Sequence, residues 1–250
     1  MNKRSNIYIF VYSGVMVIVV AALLALASTA LKPFQQRNIE TEKRLDILKS
    51  IGMAQEAATA PSKHSYVGDQ YTKYIVEQLV INSKGELING IEAFRIDLKV
   101  EMAKPITERN LPLFVAQLDN STKKFIIPLL GRGLWGPIWG YISLSEDYNT
   151  IYGASFAHKG ETPGLGAEIS TVVFQEQFKN KMIFNNGNFV SVKVVKGGAG
   201  ENNPYGVDAV SGGTITSVGL EEMIKDCLEG YQSFFVKNMK KETESYEPES

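Results

Sequence analysis

Cysteine and histidine are almost missing from this chain. Its 250 residues include one cysteine, Cys227, and two histidines, His64 and His158. One thiol cannot close an internal disulfide, ligate an iron–sulfur cluster or form a CxxC redox pair. Two imidazoles do not make a His-rich metal or haem site, so no metal is expected. Any electron chemistry therefore needs a bound cofactor. Charge of one sign is also lacking. The formal net charge is −1, so no strong basic field exists for nucleic acid, and none is expected as a partner. There is no Walker A sequence and no internal repeat. The run Gly197-Gly198-Ala199-Gly200 leads into Glu201-Asn202-Asn203-Pro204. A dinucleotide fingerprint would lead into a helix there.

One stretch does stand out. Residues 7–31 carry no charged side chain, and a bilayer crossing needs roughly 20 apolar residues. Lys3 and Arg4 precede the run, and Ala25-Leu26-Ala27 resembles a cleavage site, so a signal peptide is the competing reading. The run exceeds the usual h-region of about 7–15 residues, which favours a retained span. Lys32, Arg37, Lys43 and Arg44 follow it. Counting basic residues would place the large domain in the cytoplasm, but large domains cross membranes largely regardless of such charge. Pro33 is expected to end the span.

Beyond it, residues 38–52 predict a short amphipathic helix stopped at Gly52, and 53–65 a small, polar linker. From about Tyr66 the pattern turns mostly to strands: 74–81, the alternating Phe94, Ile96 and Leu98, and a hairpin of 113–118 with 124–130 around Asp119-Asn120-Ser121. Further strands are expected at 138–144, 151–157 and 189–196, and a helix at 164–179. Leu220, Met223, Ile224, Cys227, Leu228, Tyr231, Phe234 and Phe235 recur at spacings of three and four, which predicts an amphipathic helix with Cys227 as a small core residue. The last eleven residues, 240–250, are polar with four glutamates and read as a frayed tail.

Three glycine-rich segments interrupt this pattern. The first is Gly131-Arg132-Gly133-Leu134-Trp135-Gly136-Pro137, where Trp135 and Gly136 could wall a flat ring or simply form an aromatic corner. The second is Glu161-Thr162-Pro163-Gly164-Leu165-Gly166, shortly after His158. Alone it reads equally as a capping loop, and Glu161 with His158 makes only a weak acid–base or metal site. The third, Asp208-Ala209-Val210-Ser211-Gly212-Gly213-Thr214-Ile215-Thr216-Ser217, runs into the amphipathic helix. Thr216 or Ser217 would cap that helix, with two glutamates in its first turn. A helix N-terminus suits a phosphate, and paired glycines permit close backbone approach. A plain Ser/Thr/Gly turn is the other reading.

Taken together, the three segments resemble the FMN-binding domain of bacterial flavoproteins that carry FMN on threonine through a phosphoester bond. The third matches the family's flavin-transfer motif, Asp-x-x-Ser/Thr-Gly-Ala-Thr, with Gly213 in place of the usual alanine and Thr214 as acceptor. The second matches the family's other signature. A single span, a connector and an FMN domain give a layout similar to the NqrC proteins of the Na⁺-translocating NADH:quinone oxidoreductases. The RnfG proteins of the ferredoxin:NAD⁺ oxidoreductases share anchor and motif but are usually shorter.

That resemblance implies an α+β fold: one transmembrane helix, then antiparallel sheet with packed helices. It implies a tail at 1–6, a span at 7–31, a helical connector and linker at 32–65, an extracytoplasmic domain at 66–239 with its FMN-binding part at about 130–235, and a disordered tail at 240–250. FMN would be covalent on Thr214. Ser211, Gly212, Gly213, Ile215 and Thr216 would surround the phosphate, and Asp208, which opens the motif, would belong to the cofactor-binding set. Glu161, Thr162, Gly164 and Leu165 would line the flavin. No residue is expected to be catalytic. The implied partners are the other subunits of the complex, a flavin transferase and membrane lipid. The implied role is an electron relay toward quinone in a complex that exports Na⁺, with the domain outside the bacterial inner membrane. A flavin-binding or structural protein without electron traffic is the alternative.

Overall fold

The structure, a computed structural model, describes residues 6–119, 121–200 and 202–245, with no side chains described from 240 onward. Lys3 and Arg4, Asn120 of the hairpin turn, Glu201 and residues 246–250 of the tail lie outside the described residues. Two compact units are present, one ending at Lys43 and one beginning at Arg44.

The first helix, α1 (Asn6–Ser50), holds the apolar run, which is long and apolar enough to cross a membrane. Its side chains, Phe10 and Ile18 among them, are exposed. Pro33 lies inside α1 and does not end it. The proline removes one amide hydrogen, and no other proline or glycine lies between Phe34 and Ser50 to break the helix.

Residues 44–50 of α1 belong to the second unit. Leu45, Ile47, Leu48 and Ile51 are buried there. The Ser143 hydroxyl donates to the Ser50 carbonyl at 2.5 Å, fixing this helix end to the sheet. The expected linker is also part of this unit, because Ala54 and Ala57 are buried and a 3-10 turn covers Gln55–Ala58. Next comes α2 (Lys63–Tyr74), where the sequence pattern predicts strand from Tyr66. The Ser62 hydroxyl accepts from the Ser65 N–H, and Val67, Tyr71 and Tyr74 bury one face at helical spacing.

A five-stranded antiparallel sheet follows in simple up-and-down order: β1 (Ile75–Ile81), β2 (Leu111–Gln117), β3 (Lys123–Arg132), β4 (Pro137–Leu144) and β5 (Ile151–His158). Between β1 and β2, the alternation at Phe94, Ile96 and Leu98 does not form a strand. Ala93–Arg95 is a 3-10 turn, and Asp97 caps a short helix, α3 (Leu98–Met102), by accepting from the Lys99 N–H. Both faces of the sheet are covered. Phe114, Ala116 and Ile126 pack with Ile47, Leu48 and Val67 on one side. Leu113, Val115, Ile127, Leu129 and Ile142 pack with the C-terminal helices on the other. The fold is α+β, as expected.

The 164–179 segment is not one helix. A 3-10 turn at Gly166–Ser170 gives way to extended Thr171, which caps α4 (Val172–Glu176). The expected 189–196 strand is broken at Ser191, whose φ is 59°. It becomes part of a small hairpin, β6 (Phe184–Asn185) with β7 (Asn188–Phe189), and then β8 (Lys193–Val195), which pairs in parallel with β9 (Gly206–Asp208). The final stripe divides at Gly230 into α5 (Thr214–Glu229) and α6 (Gln232–Ser245). Helix α6 runs through 240–245, which the sequence pattern assigns to a disordered tail.

Helix α5 lies against β3 at contact distance. A Cβ on Gly219 would overlap the Arg132 carbonyl oxygen, and one on Gly131 would sit 2.6 Å from the Met223 Cβ. Gly219→Ala is therefore expected to destabilise the protein by about 1–3 kcal/mol through overpacking. That exceeds the gain of about 1 kcal/mol from helix propensity. The denaturant midpoint should fall. A midpoint that rises would mean that helix and strand can separate freely.

Candidate functional site

The sheet and α5 bring the three glycine-rich segments together. The β3–β4 turn is closed by the Gly133 N–H donating to the Gly136 carbonyl at 2.8 Å. It contributes Leu134 and Trp135 to a pocket of roughly 340 Å³. The loop after β5 contributes Glu161, Thr162, Leu165 and Gly166, and the turn into α5 contributes residues 212–216. Pockets of about 300–1,000 Å³ commonly take small ligands. Leu134, Trp135, Leu165 and Ile215 leave large apolar surfaces exposed around the mouth.

The turn into α5 has defined chemistry. The Gly213 N–H donates to the Val210 carbonyl at 3.0 Å, and Gly212 has φ 71° in the third position. A type II turn needs glycine there. Gly213 then takes the N-cap position and offers no capping side chain. The first-turn N–H groups of a 16-residue helix thus lack a capping oxygen. Thr216 and Ser217 are not caps, because the helix begins at Thr214, ahead of both. Each is buried and bonded inward: Ser217 Oγ accepts from the Val210 N–H at 3.1 Å, and Thr216 Oγ1 donates to Glu161 Oε2 at 2.6 Å. The first turn contains no acidic residue, since Glu221 and Glu222 fall later. Thr214 itself is exposed at the pocket rim.

Glu161 joins all three segments. Besides Thr216 it accepts from the Trp135 N–H, on Oε1, at 2.9 Å. Its own N–H donates to His158 Nδ1 at 3.1 Å. The side chain is 5 % exposed. A Cβ on Gly133 would lie 2.5 Å from Oε1, and one on Gly166 would overlap Oε2. Glycine at both positions makes the room this carboxylate occupies.

Of the expected site residues, Trp135, Glu161, Thr162, Leu165, Gly212, Gly213, Thr214, Ile215 and Thr216 line the pocket. Gly136, Gly164 and Ser211 shape its loops without lining it. Gly164 has φ 74° and donates its N–H to Glu168. Asp208 lines a different, wider cleft of about 560 Å³ beside the 197–200 loop, where its carboxylate accepts from the Ala199 N–H. Leu134 and Gly166 also line the flavin-sized pocket; both lie within the glycine-rich segments but are not among the expected site residues. Cys227 is buried in the core, and burial pushes its thiol pKa up to about 11, so it holds its proton at neutral pH. Among the described residues no group of His, Cys, Asp and Glu could hold a metal ion.

The model of the FMN-binding domain family matches residues 133–229, a span that includes the whole pocket lining. Among solved structures, NqrC of the Na⁺-translocating NADH-quinone reductase from Parabacteroides distasonis is 45% identical, with a TM-score of 0.71 over 82% of this chain and 96% of that one. The chain belongs to the NqrC family. NqrC from Shewanella oneidensis is 27% identical, with a TM-score of 0.66 over 80% of this chain and 97% of its own. The corresponding protein of the Haemophilus ducreyi reductase is 29% identical over 234 residues, which is 85% of this chain and 88% of that protein. That of Vibrio vulnificus is 28% identical over 219 residues, covering 82% and 83%. As an NqrC family member, the chain is the FMN-binding subunit of an oxidoreductase complex and works beside the other subunits. Among the described residues one helix is long and apolar enough to cross a membrane, which fits a membrane anchor.

Proposed function

We propose that Thr214 carries FMN through a phosphoester bond and that the chain relays single electrons toward quinone within a complex that exports Na⁺. The observation that carries this reading is the placement of Thr214. It is an exposed hydroxyl in the first turn of α5, behind a glycine N-cap and at the rim of an apolar pocket. The first-turn N–H groups of residues 214–216 would hold the phosphate, aided by the positive end of the helix dipole. Gly212 and Gly213 let it approach the backbone, while Ser211 and Asp208 shape the turn and its neighbouring strand. Trp135, Leu134, Leu165 and Ile215 supply apolar surface for a flat ring, and Thr162 and Glu161 supply polar groups. Gly136 and Gly164 set the loops that carry them. When bound, FMN supplies the one-electron chemistry that the side chains of this protein lack.

The same geometry suits maturation by a flavin transferase, since the acceptor hydroxyl is open to an enzyme. Residues 7–31 would sit in lipid, with the FMN domain on the extracytoplasmic side of the bacterial inner membrane, over roughly 66–239. The sequence carries no motif for NADH oxidation or Na⁺ passage, and both would fall to other subunits. The test is spectroscopic. Flavin absorption should stay with the polypeptide after denaturation and acid precipitation, and the isolated chain should show no NADH:quinone activity while dithionite still bleaches its flavin. Flavin released quantitatively into the supernatant would overturn covalent attachment.

A further inference from the structure

Glu161 is an unusual wall for a pocket that takes an anionic cofactor. It is nearly fully buried, and both carboxylate oxygens accept a hydrogen bond, one from a backbone N–H and one from a hydroxyl. Both donors are neutral. Among the described residues no lysine, arginine or histidine forms an ion pair with it: Lys159, two residues away, and Arg132, beside Gly133, are exposed, and His158 meets the Glu161 backbone N–H and not its carboxylate. A buried carboxylate without a cation is costly to keep. Yet two glycines, Gly133 and Gly166, leave the space that its oxygens fill. A neutral glutamine or a methionine would fill a similar volume, so packing alone does not account for the charge.

We propose that Glu161 is a fixed negative charge built into the flavin pocket, and that it holds down the one-electron reduction potential of the bound flavin. The inference rests on FMN occupying this pocket. An electron delivered by a neighbouring redox centre of the complex adds one negative charge to the flavin unless one proton from solvent accompanies it. A like charge in the pocket wall, poorly screened because it is buried, opposes the electron arriving alone. The effect makes the flavin a stronger donor to whatever follows it.

The test uses the full flavinylated chain in detergent and a spectroelectrochemical titration of its flavin. Peptide mass spectrometry first establishes that Thr214 carries FMN. Its absence from the native protein would defeat the reading of the site, independently of Glu161. Glu161→Gln keeps the shape and loses the charge, and is expected to favour the one-electron reduced flavin by about tenfold, an upward shift of about 59 mV for a one-electron couple. Glu161→Met, neutral and of similar length, provides the same reading if the glutamine variant fails to fold. Glu161→Asp keeps the charge and should stay close to the native potential. The proposal is overturned if Gln and Met match the native potential, if Asp shifts as much as they do, or if the folded Gln variant is no longer flavinylated. The last result would assign the charge to attachment and not to potential.

Discussion

A complex carrying Thr214→Ala is expected to oxidise NADH with artificial acceptors at the native rate, but to reduce quinone about a hundredfold or more slowly. The split follows from the position of a relay. Removing a carrier from the middle of a path stops the steps after it and spares those before it. The substitution itself is mild. Thr214 is exposed, its hydroxyl has no hydrogen-bond partner among the described residues, and the cap is supplied by Gly213. Alanine is a good helix former, so α5 should lose nothing. The mutant chain should therefore assemble normally, and both assays should be run on the same preparation. Full quinone reductase activity would take the flavin off the main electron path and favour a structural role for the chain.

Deleting residues 1–32 is expected to move the chain from the membrane fraction to the soluble fraction almost completely. The deleted segment holds the apolar run, and its side chains make no core in the described structure. The buried residues of the second unit begin at Leu45, so the deletion leaves them all in place. The truncated domain should unfold at nearly the same temperature as the full chain. When exported together with a flavin transferase it should still be modified on Thr214. A truncated protein that stays with the membrane would show that another surface anchors it. A native N-terminus at Ser28 would show that the run is a signal peptide.

Much of the sheet is legible in the sequence. The 113–118 and 124–130 hairpin, and the strands at 138–144 and 151–157, emerge as β2 to β5 because each is an apolar run bounded by turn residues. They are nearly continuous runs because helices cover both faces of the sheet. Helix α2 is hidden, although Ser62 is a ready cap and Val67, Tyr71 and Tyr74 keep helical spacing. Its polar surface and Gly68 obscure that stripe. The 94–98 alternation misleads because Asp97 turns the chain into α3. At the site, the three glycine-rich segments are legible as motifs. Their junction is not. Glu161 and Thr216 are 55 residues apart, and a side-chain bond over that separation leaves no local pattern. The cap of α5 is misplaced by the sequence for a related reason. Thr216 and Ser217 are cap-type residues, but Gly213 takes the cap, which leaves their hydroxyls to pin the helix inward.

The most direct test of the account is peptide mass spectrometry of the native protein, cut so that Thr214 and Thr216 fall on a sequenced fragment. One FMN phosphoester is expected, located on Thr214, with Thr216 unmodified because its hydroxyl is buried against Glu161. An unmodified Thr214 in a fully flavinylated preparation, or FMN found on Thr216, would contradict it.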